Sequence, residues 1–259
     1  MSTPLVSCVM VTRNRRSFAR RAIACFASQT WRNTELVVVD DGAESYEDVI
    51  ASFRALGSNI HYHRMQPAKD VKLGELRNLC LQKARGAYIM QWDDDEWYHP
   101  SRVAVQMDAL QKSNAVACVL KWTLMHIDTS DFVSKPFRAD AGSGTPGTIV
   151  HRQSDTRYPN LARGEDSEFL KALGQQGKVV CLSRENSHLF IRCFHGDNTW
   201  SRSHFTKRLR RTPANMLSFA IAKLRGDLFT HPAFRLTELE RDSFQSFVAE
   251  SNLLELLRS

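Results

Sequence analysis

Short apolar runs alternate with segments of helical periodicity along the first part of the chain. The runs that suit buried strands lie at residues 5–11, 35–39, 60–63 and 87–92. The segments whose apolar residues recur at helical spacing lie at residues 17–26, 72–84 and 101–110. Strands that alternate with helices predict an α/β fold with a mainly parallel sheet.

The second part of the chain adds more strand patterns and one helix. Further strands are predicted at residues 115–125, 147–151, 178–182 and 188–194. The segment 139–148 contains Gly, Ser and Pro, so we predict a loop there, either close to a site or a plain connection. A helix is predicted to begin near Glu165 and to end at the glycines that follow it.

The pattern changes at residue 202. A basic run begins there and contains Arg202, Lys207, Arg208, Arg210 and Arg211. Two segments of helical periodicity follow it, at 215–224 and 236–257. We therefore predict one α/β domain over residues 1–201 and a basic, helical appendage over residues 202–259.

Three of the predicted strands end in polar clusters. Thr12, Arg13 and Asn14 follow the first strand, Asp40 and Asp41 follow the second, and Asp93, Asp94, Asp95 and Glu96 follow the strand at 87–92. Ligands of open parallel sheets bind outside the carboxyl ends of the strands. The three clusters together therefore predict one binding site at this edge of the sheet.

Four consecutive acids repel one another unless a cation lies among them. If the extended backbone continues past the strand, Asp93 and Asp95 share one face and Asp94 takes the other. Two such carboxylates suit a hard cation that substrate phosphates also hold. The alternative is a solvated acidic turn, but the flanking Trp92, Trp97 and Tyr98 are unusual for one.

Composition and charge narrow the possible partners of the protein. The chain has 259 residues, and its formal net charge of +7 admits nucleic acid, an anionic membrane or an anionic small substrate as a partner. No aromatic-basic RNA motif accompanies the charge, so nucleic acid is not expected.

The six cysteines form no CxxC pair, which indicates reduced thiols and a cytoplasmic location. No apolar run is long enough to cross a bilayer, and residues 202–259 could touch a protein or the inner face of a membrane.

Two enzyme classes are disfavoured by their missing motifs. A dinucleotide-binding fold would carry G-x-G-x-x-G after its first strand, and the chain does not. An aspartyl phosphotransferase would carry a small hydroxylated or branched residue where Trp97 stands. A phosphate-transferring enzyme that uses the same acids stays open as an alternative.

Several ordered motifs resemble the nucleotide-sugar half of glycosyltransferase family 2, an inverting family with the GT-A fold. They are Val9–Asn14, Gln29-Thr30, Glu35–Gly42, Arg77-Asn78 and Gly86–Asp95. The resemblance is close over about residues 4–100 and looser to about residue 200. Glu96 departs from the pattern, because the family often has a further Asp there.

The resemblance implies a Rossmann-like, mainly parallel mixed sheet flanked by helices, with a nucleotide-sugar half over 1–100 and an acceptor half over 101–201. It implies a metal-dependent transfer of a sugar from a nucleoside diphosphate sugar, with a UDP-sugar favoured, to a hydroxyl acceptor in polysaccharide, glycolipid or glycoconjugate synthesis. A related protein that binds the donor without turnover is the other alternative.

The resemblance also assigns roles to residues. The nucleotide-binding residues would be Thr12, Arg13, Asn14, Asp40, Asp41, Arg77, Asp93 and Asp94. The ligands of Mn²⁺ or Mg²⁺ would be Asp95, Asp93 and His195. Asp166 would be the general base, with Glu165 beside it.

Each role has a structural alternative. Glu165 and Asp166 lie where acids stabilise the start of a helix. Asp40 and Asp41 could form a turn with Gly42, and His195 could bond to the backbone of a loop. Asn198 and Trp200 either shape the acceptor site or only cap and pack.

Overall fold

A computed structural model describes residues 3–66, 70–132, 134–196, 198 and 201–257. Trp200 lies outside these residues. The strands are β1 (Val6–Thr12), β2 (Thr34–Asp40), β3 (Ile60–Arg64), β4 (Tyr88–Gln91), β5 (Trp97–Tyr98), β6 (Ala117–Leu120), β7 (Trp122–Ile127), β8 (Phe137–Asp140), β9 (Val150–Arg152), β10 (Val179–Leu182) and β11 (Phe190–Phe194). The α-helices are α1 (Arg16–Ala27), α2 (Glu47–Ala55), α3 (Leu73–Lys83), α4 (Arg102–Ser113), α5 (Glu165–Gln176), α6 (Arg202–Thr206), α7 (Pro213–Leu224) and α8 (Glu238–Asn252).

The chain forms two compact units. The first unit contains Met1–Val119 and Pro146–Leu182, and the second contains Leu120–Thr145 and Ser183–Ser259. The predicted boundary at residue 201 stays a prediction. The segment after it shares its unit with residues 120–145 and 183–201, which are predicted to belong to the acceptor half.

The first unit contains a seven-stranded sheet in the order β10-β6-β9-β4-β1-β2-β3. β1 is parallel to both β4 and β2, and β2 is parallel to β3. β9 is antiparallel to β4 and to β6. The predicted mainly parallel mixed sheet is therefore confirmed, and its parallel part brings the carboxyl ends of β4, β1 and β2 to one edge.

Burial explains why the strands read as apolar runs. Successive residues of β1 and β2 are buried, as expected for strands of a sheet that is covered on both faces. On one face Cys80 of α3 and Phe169 of α5 join Val9 and Val37 in a single core. These helices therefore hold the carboxyl ends of the strands in fixed positions.

The predicted strand at 115–125 is wrong as one element. The structure divides it into β6 and β7, which belong mainly to different units, and Lys121 lies between them. The Lys121 carbonyl accepts from the amide of Ala141 at 2.8 Å. Both strands are buried and therefore apolar, so the sequence shows one continuous apolar run and no sign of the break.

Two other predicted strands begin too early. Pro146–Thr148 is a 3₁₀ turn, so the strand predicted at 147–151 is confined to β9. Pro146 lacks an amide hydrogen, and its carbonyl accepts from the amide of Ile149. His188 and Leu189 end another 3₁₀ segment, so β11 begins at Phe190.

The second unit contains β11, β7 and β8, with β7 parallel to β11 and antiparallel to β8. Aromatic side chains build much of its core, including Phe132, Phe137 and Phe205. The predicted helices at 215–224 and 236–257 are present as α7 and the shorter α8. No helix within the described ranges is long and apolar enough to cross a bilayer.

A buried ion pair ties α8 to β8 in the second unit. Arg138 donates to both carboxylate oxygens of Glu240, and Ser187 donates to the same carboxylate. Thr237 caps α8 and exchanges hydrogen bonds with Glu240. Burial raises the pKa of Glu240, but these donors outweigh burial and hold its pKa below the usual 4.5.

Arg138→Met should lower the free energy of unfolding by roughly 3–5 kcal/mol at neutral pH, because it leaves Glu240 charged, buried and without its main partner. The pair contributes above the unfolded pKa of Glu240 and loses its contribution as pH falls below about 4.5. The difference between wild type and variant in urea unfolding should therefore shrink toward pH 3. Exposed Arg184→Met is the control, and an equal loss in both variants would contradict the role of the pair.

Candidate active site

The three predicted polar clusters meet at the carboxyl edge of the sheet. Thr12 lies opposite Asp40 in the pairing of β1 with β2. The Thr12 hydroxyl donates to Asp94 at 2.7 Å, across the neighbouring strand end. The Thr12 carbonyl accepts from the amide of Asp41 at 3.3 Å. Thr12 therefore joins all three strand ends.

The turn after β2 fits closely against the loop after β1. Asn14 has a left-handed backbone with φ of 52°, and its side-chain oxygen accepts from the amide of Ala43 at 2.8 Å. A Cβ atom on Gly42 would lie 2.7 Å from that oxygen, so only glycine fits here. Asn14 and Gly42 therefore fix the positions of Asp40 and Asp41.

Asp40 and Asp41 are both buried but differ in their partners. Asp40 accepts from the Tyr62 hydroxyl and from the amide of Gly42. Asp41 lies 3.4 Å from the guanidinium of the exposed Arg13, whereas its Oδ1 has no hydrogen-bond donor among the described residues. Burial outweighs Arg13 and raises the pKa of Asp41. A buried carboxylate oxygen without a donor is unfavourable, and a donor on a bound ligand would relieve the cost.

The acidic turn after β4 does not follow the alternation of an extended chain. β4 ends at Gln91, and Arg15 contacts both Asp95, at 2.9 Å, and Asp94, at 3.5 Å. The predicted alternation required an extended backbone past the strand, and this condition is not met, because the backbone turns at Asp94 and Asp95. Burial, with the adjacent charge of Asp95, raises the pKa of Asp94 to about 7.

Aromatic residues hold the acidic turn in place. The rings of Trp92 and Tyr98 stack with centroids 3.9 Å apart, and both are fully buried. The Tyr98 hydroxyl lies 2.6 Å from the amide and 2.9 Å from the carbonyl of Asp93. The Arg102 guanidinium lies over both rings. A solvated turn would not need this buried frame, so the alternative of a merely acidic loop is disfavoured.

A buried arginine joins the acidic turn to the start of α5. Arg77 of α3 donates from Nη2 to Asp93 at 2.9 Å and from Nε to Glu165 at 3.0 Å. Its side chain is 8% exposed and that of Glu165 is 3% exposed. Burial raises the pKa of Glu165 against the opposing charge of Arg77. The structure thus brings together two groups of acids that the sequence separates by about 70 residues.

Tyr158 supports this bridge, and no local sequence pattern identifies it. Its ring stacks on Phe169 with centroids 3.9 Å apart, and the Arg77 guanidinium lies 5.6 Å from the ring centroid. Asn78 bonds to both the amide and the carbonyl of Tyr158 at 2.8 Å. Both residues of the R-N pair therefore support the bridge. Arg77 binds the carboxylates, and Asn78 holds Tyr158, whose ring lies next to the Arg77 guanidinium.

Asp166 lies on α5 next to Glu165 and has a different environment. It is partly exposed, and its Oδ1 accepts from the amide of Ser167 at 2.7 Å. No side chain of the opposite charge is bonded to Asp166 in the part of the chain described. Glu165 is anchored by Arg77, whereas Asp166 keeps a carboxylate accessible to solvent.

Two further residues at the site have weak sequence signals. A Cβ atom on Gly147 would lie 3.0 Å from the Oδ2 of Asp93, so the turn before β9 packs directly against this carboxylate. The side-chain Nε2 of Gln91 donates to the same carboxylate at 3.1 and 3.2 Å. The sequence alone indicates only that Gly147 belongs to a loop and that Gln91 lies at the end of a strand.

The donor set at the acidic turn suits a hard divalent cation. Asp93 and Asp95 supply carboxylate oxygens, which Mg²⁺ and Mn²⁺ prefer. Over the described ranges, no three His, Cys, Asp or Glu side chains form a ready-made metal cluster. This fits a cation that is held by one or two carboxylates together with substrate phosphates. His195 lies after β11 in the second unit, so its assignment as a ligand stays a prediction.

The sheet, with polar clusters at its carboxyl edge, defines an α/β protein with a candidate site at its strand ends, and comparison with known proteins identifies its family. The family model Glycosyl transferase family 2 matches residues 7–140, which is more than half of the chain. The chain therefore belongs to glycosyl transferase family 2, a family of inverting transferases. The predicted family is confirmed.

Individual relatives resemble the chain over different lengths. Chondroitin synthase of Escherichia coli is 26% identical over 207 residues, which cover 76% of this chain and 30% of that protein. The chain spans less than two fifths of the length of the first curated relatives that it matches.

Two solved structures have a similar fold. Staphylococcus aureus TarS 1-349 in complex with UDP-GlcNAc aligns with a TM-score of 0.59 at 15% identity and covers 95% of this chain and 72% of that one. The mannosyltransferase PcManGT of Pyrobaculum calidifontis, in complex with GDP-Man and Mn²⁺, aligns with a TM-score of 0.57 at 15% identity and covers 98% and 79%. The predicted GT-A fold is confirmed.

The Arg77 bridge can be tested by a double-mutant cycle. Arg77→Met and Glu165→Gln should each lower the free energy of unfolding, and the double variant should lose about 1–3 kcal/mol less than the sum, because the two groups interact directly. Urea denaturation of the four proteins measures this coupling. The control is Arg77→Met combined with Glu168→Gln, an exposed residue of the same helix, whose effects should add within about 0.5 kcal/mol. Additive effects of Arg77→Met and Glu165→Gln would contradict the bridge.

Proposed function

We propose that this chain is a divalent-cation-dependent inverting glycosyltransferase. It would move a sugar from a nucleoside diphosphate sugar to a hydroxyl acceptor, with UDP as the favoured nucleotide. The observation that carries the proposal is the Arg77 bridge, because its Nη2 binds Asp93 of the acidic turn and its Nε binds Glu165, the residue beside Asp166. One arginine therefore connects Asp93, assigned to the donor, with Glu165, the neighbour of the assigned base.

The nucleotide would bind along the ends of β1 and β2. The buried Oδ1 of Asp41 offers an acceptor for a donor group of the base or ribose, and Arg13 lies beside it. Thr12, Asn14 and Asp40 are engaged in bonds within the protein, so their contribution would be to fix this surface. Asp94, bonded to Thr12 and Arg15, would support the turn in the same way. The complexes of TarS with UDP-GlcNAc and of PcManGT with GDP-Man support a nucleotide-sugar donor.

Asp95 and Asp93 would hold the cation, Mn²⁺ or Mg²⁺, with His195 as a further candidate. When bound, such a cation neutralises the negative charge that grows on the leaving diphosphate. Arg77 would position Asp93 and Glu165 instead of contacting the nucleotide, because it is buried and bonded to both. PcManGT in complex with Mn²⁺ supports the use of a divalent cation.

Asp166 would accept the proton of the acceptor hydroxyl as its oxygen attacks the anomeric carbon. A carboxylate is a weak base, but it acts when the hydroxyl becomes acidic in the transition state. A single displacement by this oxygen releases the nucleoside diphosphate and inverts the anomeric centre. No nucleophilic side chain is needed, and the acceptor would be a growing polysaccharide, glycolipid or glycoconjugate.

Screening nucleotide sugars for thermal stabilisation tests the donor site. UDP-sugars with Mn²⁺ or Mg²⁺ should raise the melting temperature, corresponding to about 2.7 kcal/mol at a ligand concentration of 100 times Kd. Asp95→Asn should remove the part of this shift that depends on the metal, because the ligand loses its negative charge. Exposed Asp108→Asn is the matched control and should behave as wild type. An unchanged metal response in Asp95→Asn would show that Asp95 is not a ligand, and stabilisation by GDP-sugars alone would reassign the nucleotide.

Asp166→Asn tests the base. The amide keeps the shape and can still accept a hydrogen bond but cannot take the proton, so transfer should fall by about 10²–10⁴-fold while donor affinity survives. Nucleotide release in the presence of donor and acceptor, normalised to folded protein, measures this. Glu168→Gln, in the same first turn of α5, should keep wild-type turnover. A helix-start role alone would cost roughly 0.3–1 kcal/mol of stability and little rate.

Two outcomes would overturn the mechanism independently of the variants. A product that retains the anomeric configuration of the donor would exclude a single displacement. Donor binding by the wild-type protein without any nucleotide release, across a panel of hydroxyl acceptors, would favour a protein that binds the donor without turnover.

A further inference from the structure

Helix α7 of the second unit carries an apolar surface that faces solvent. Its exposed apolar residues include Met216, Leu217, Ile221 and Leu224, with exposed fractions of 58%, 64%, 41% and 88%. Ala220 is exposed between them. Large apolar side chains are normally exposed singly, so a contiguous group on one short helix indicates an interaction surface.

The two faces of α7 are clearly separated. At about 100° per residue, the five exposed apolar residues fall within an arc of roughly 140°. Phe219 and Ala222 lie on the opposite side, where Phe219 packs against the aromatic core of the unit and Ala222 is buried. The outer apolar arc is therefore not needed to hold the helix on its own unit.

Two cations flank this apolar arc. Lys223 and Arg225 are exposed and, by the same helical spacing, lie just beyond its two edges. Residues 202–226 contain seven Arg and Lys residues and no Asp or Glu. A helix with an apolar arc, basic edges and no acids is typical of segments that lie in the surface of an anionic membrane.

The electrostatic potential near residues 202–211 is positive, as the number of Arg and Lys residues there indicates. Burial, together with the neighbouring cations Arg192, Arg208 and Lys207, lowers the pKa of His204 to about 4. Burial and the same kind of neighbours, Arg192 and Arg211, lower the pKa of Arg208 to about 10. The cations in this part of the unit are therefore concentrated and only partly balanced, and an anionic surface would bind to them favourably.

We propose that the outer face of α7, with Lys223 and Arg225 at its edges, docks this protein on an anionic lipid bilayer. Met216, Leu217, Ala220, Ile221 and Leu224 would enter the boundary between headgroups and acyl chains, while the cations contact lipid phosphates. A second copy of the chain fits poorly as the occupant, because pairing two such faces would bring two acid-free basic segments together. Docking would place the protein at a membrane surface, and this proposal does not depend on the sugar-transfer chemistry.

Co-sedimentation of the full chain with vesicles tests the proposal. Vesicles of phosphatidylcholine with 40% phosphatidylglycerol should bind the protein, and vesicles of pure phosphatidylcholine should bind much less, with the difference reduced in 0.5 M NaCl. Leu217→Gln with Leu224→Gln should lower the partition coefficient by at least about tenfold, because two exposed leucines no longer insert. Lys223→Gln with Arg225→Gln should lower it by roughly 20- to 30-fold on the anionic vesicles alone.

Matched controls separate docking from general effects. Leu56→Gln removes an exposed leucine, and Arg20→Gln with Lys83→Gln removes the same charge, all from the first unit; neither should change binding. Circular dichroism should show that every variant is folded. Slower hydrogen exchange of residues 213–224 on vesicles would support insertion independently of any variant.

Three results would overturn the proposal. The first is equal binding of the wild-type protein to neutral and anionic vesicles, or no binding to either. The second is an unchanged partition coefficient in both double variants. The third is a wild-type dimer in analytical ultracentrifugation that Leu217→Gln with Leu224→Gln converts to monomer, which would assign the face to a second copy.

Discussion

Negative charge at the carboxyl end of β4 is the constraint on which the first unit depends. Three aspartates follow one another there, and the protein keeps them close by supplying two arginines, Arg15 and Arg77, from two different helical segments. Each arginine contacts two carboxylates, so removing either would leave more than one charge without its partner. The folding of α3 and the start of α1 is therefore coupled to the site.

A connected arrangement of this kind suits a reaction with a charged leaving group. The aromatic frame around Trp92 and Tyr98 and the Tyr158–Phe169 stack keep the carboxylates in position before any ligand arrives. Groups that are already oriented need little reorganisation when charge develops on a substrate. The side chains around Asp93 are held in place by packing, whereas the carboxylate of Asp166 is partly exposed. The exposed side is where an acceptor would have to enter and leave.

The sequence predicts strand ends well and contacts across the sheet poorly. Apolar runs that stop at Thr12, Asp40 and Asp93 identify the site edge, because side-chain burial is a local signal. The Arg15–Asp95 and Arg77–Glu165 pairs join residues 80 and 88 positions apart, and no local pattern reports such distances. Arg15 and Tyr158 were missed for this reason, and the break at Lys121 was hidden by burial on both sides of it.

The excursion of the chain into the second unit between β6 and β9 affects the order in which the protein can fold during synthesis. β4 lies between β1 and β9 in the sheet, yet β9 follows β4 by about 60 residues and comes after residues 120–145. One edge of β4 therefore has no native partner on the ribosome until Val150–Arg152 has emerged. An unpaired strand edge can associate with other chains. Chaperone binding to the nascent chain would be most valuable during that interval.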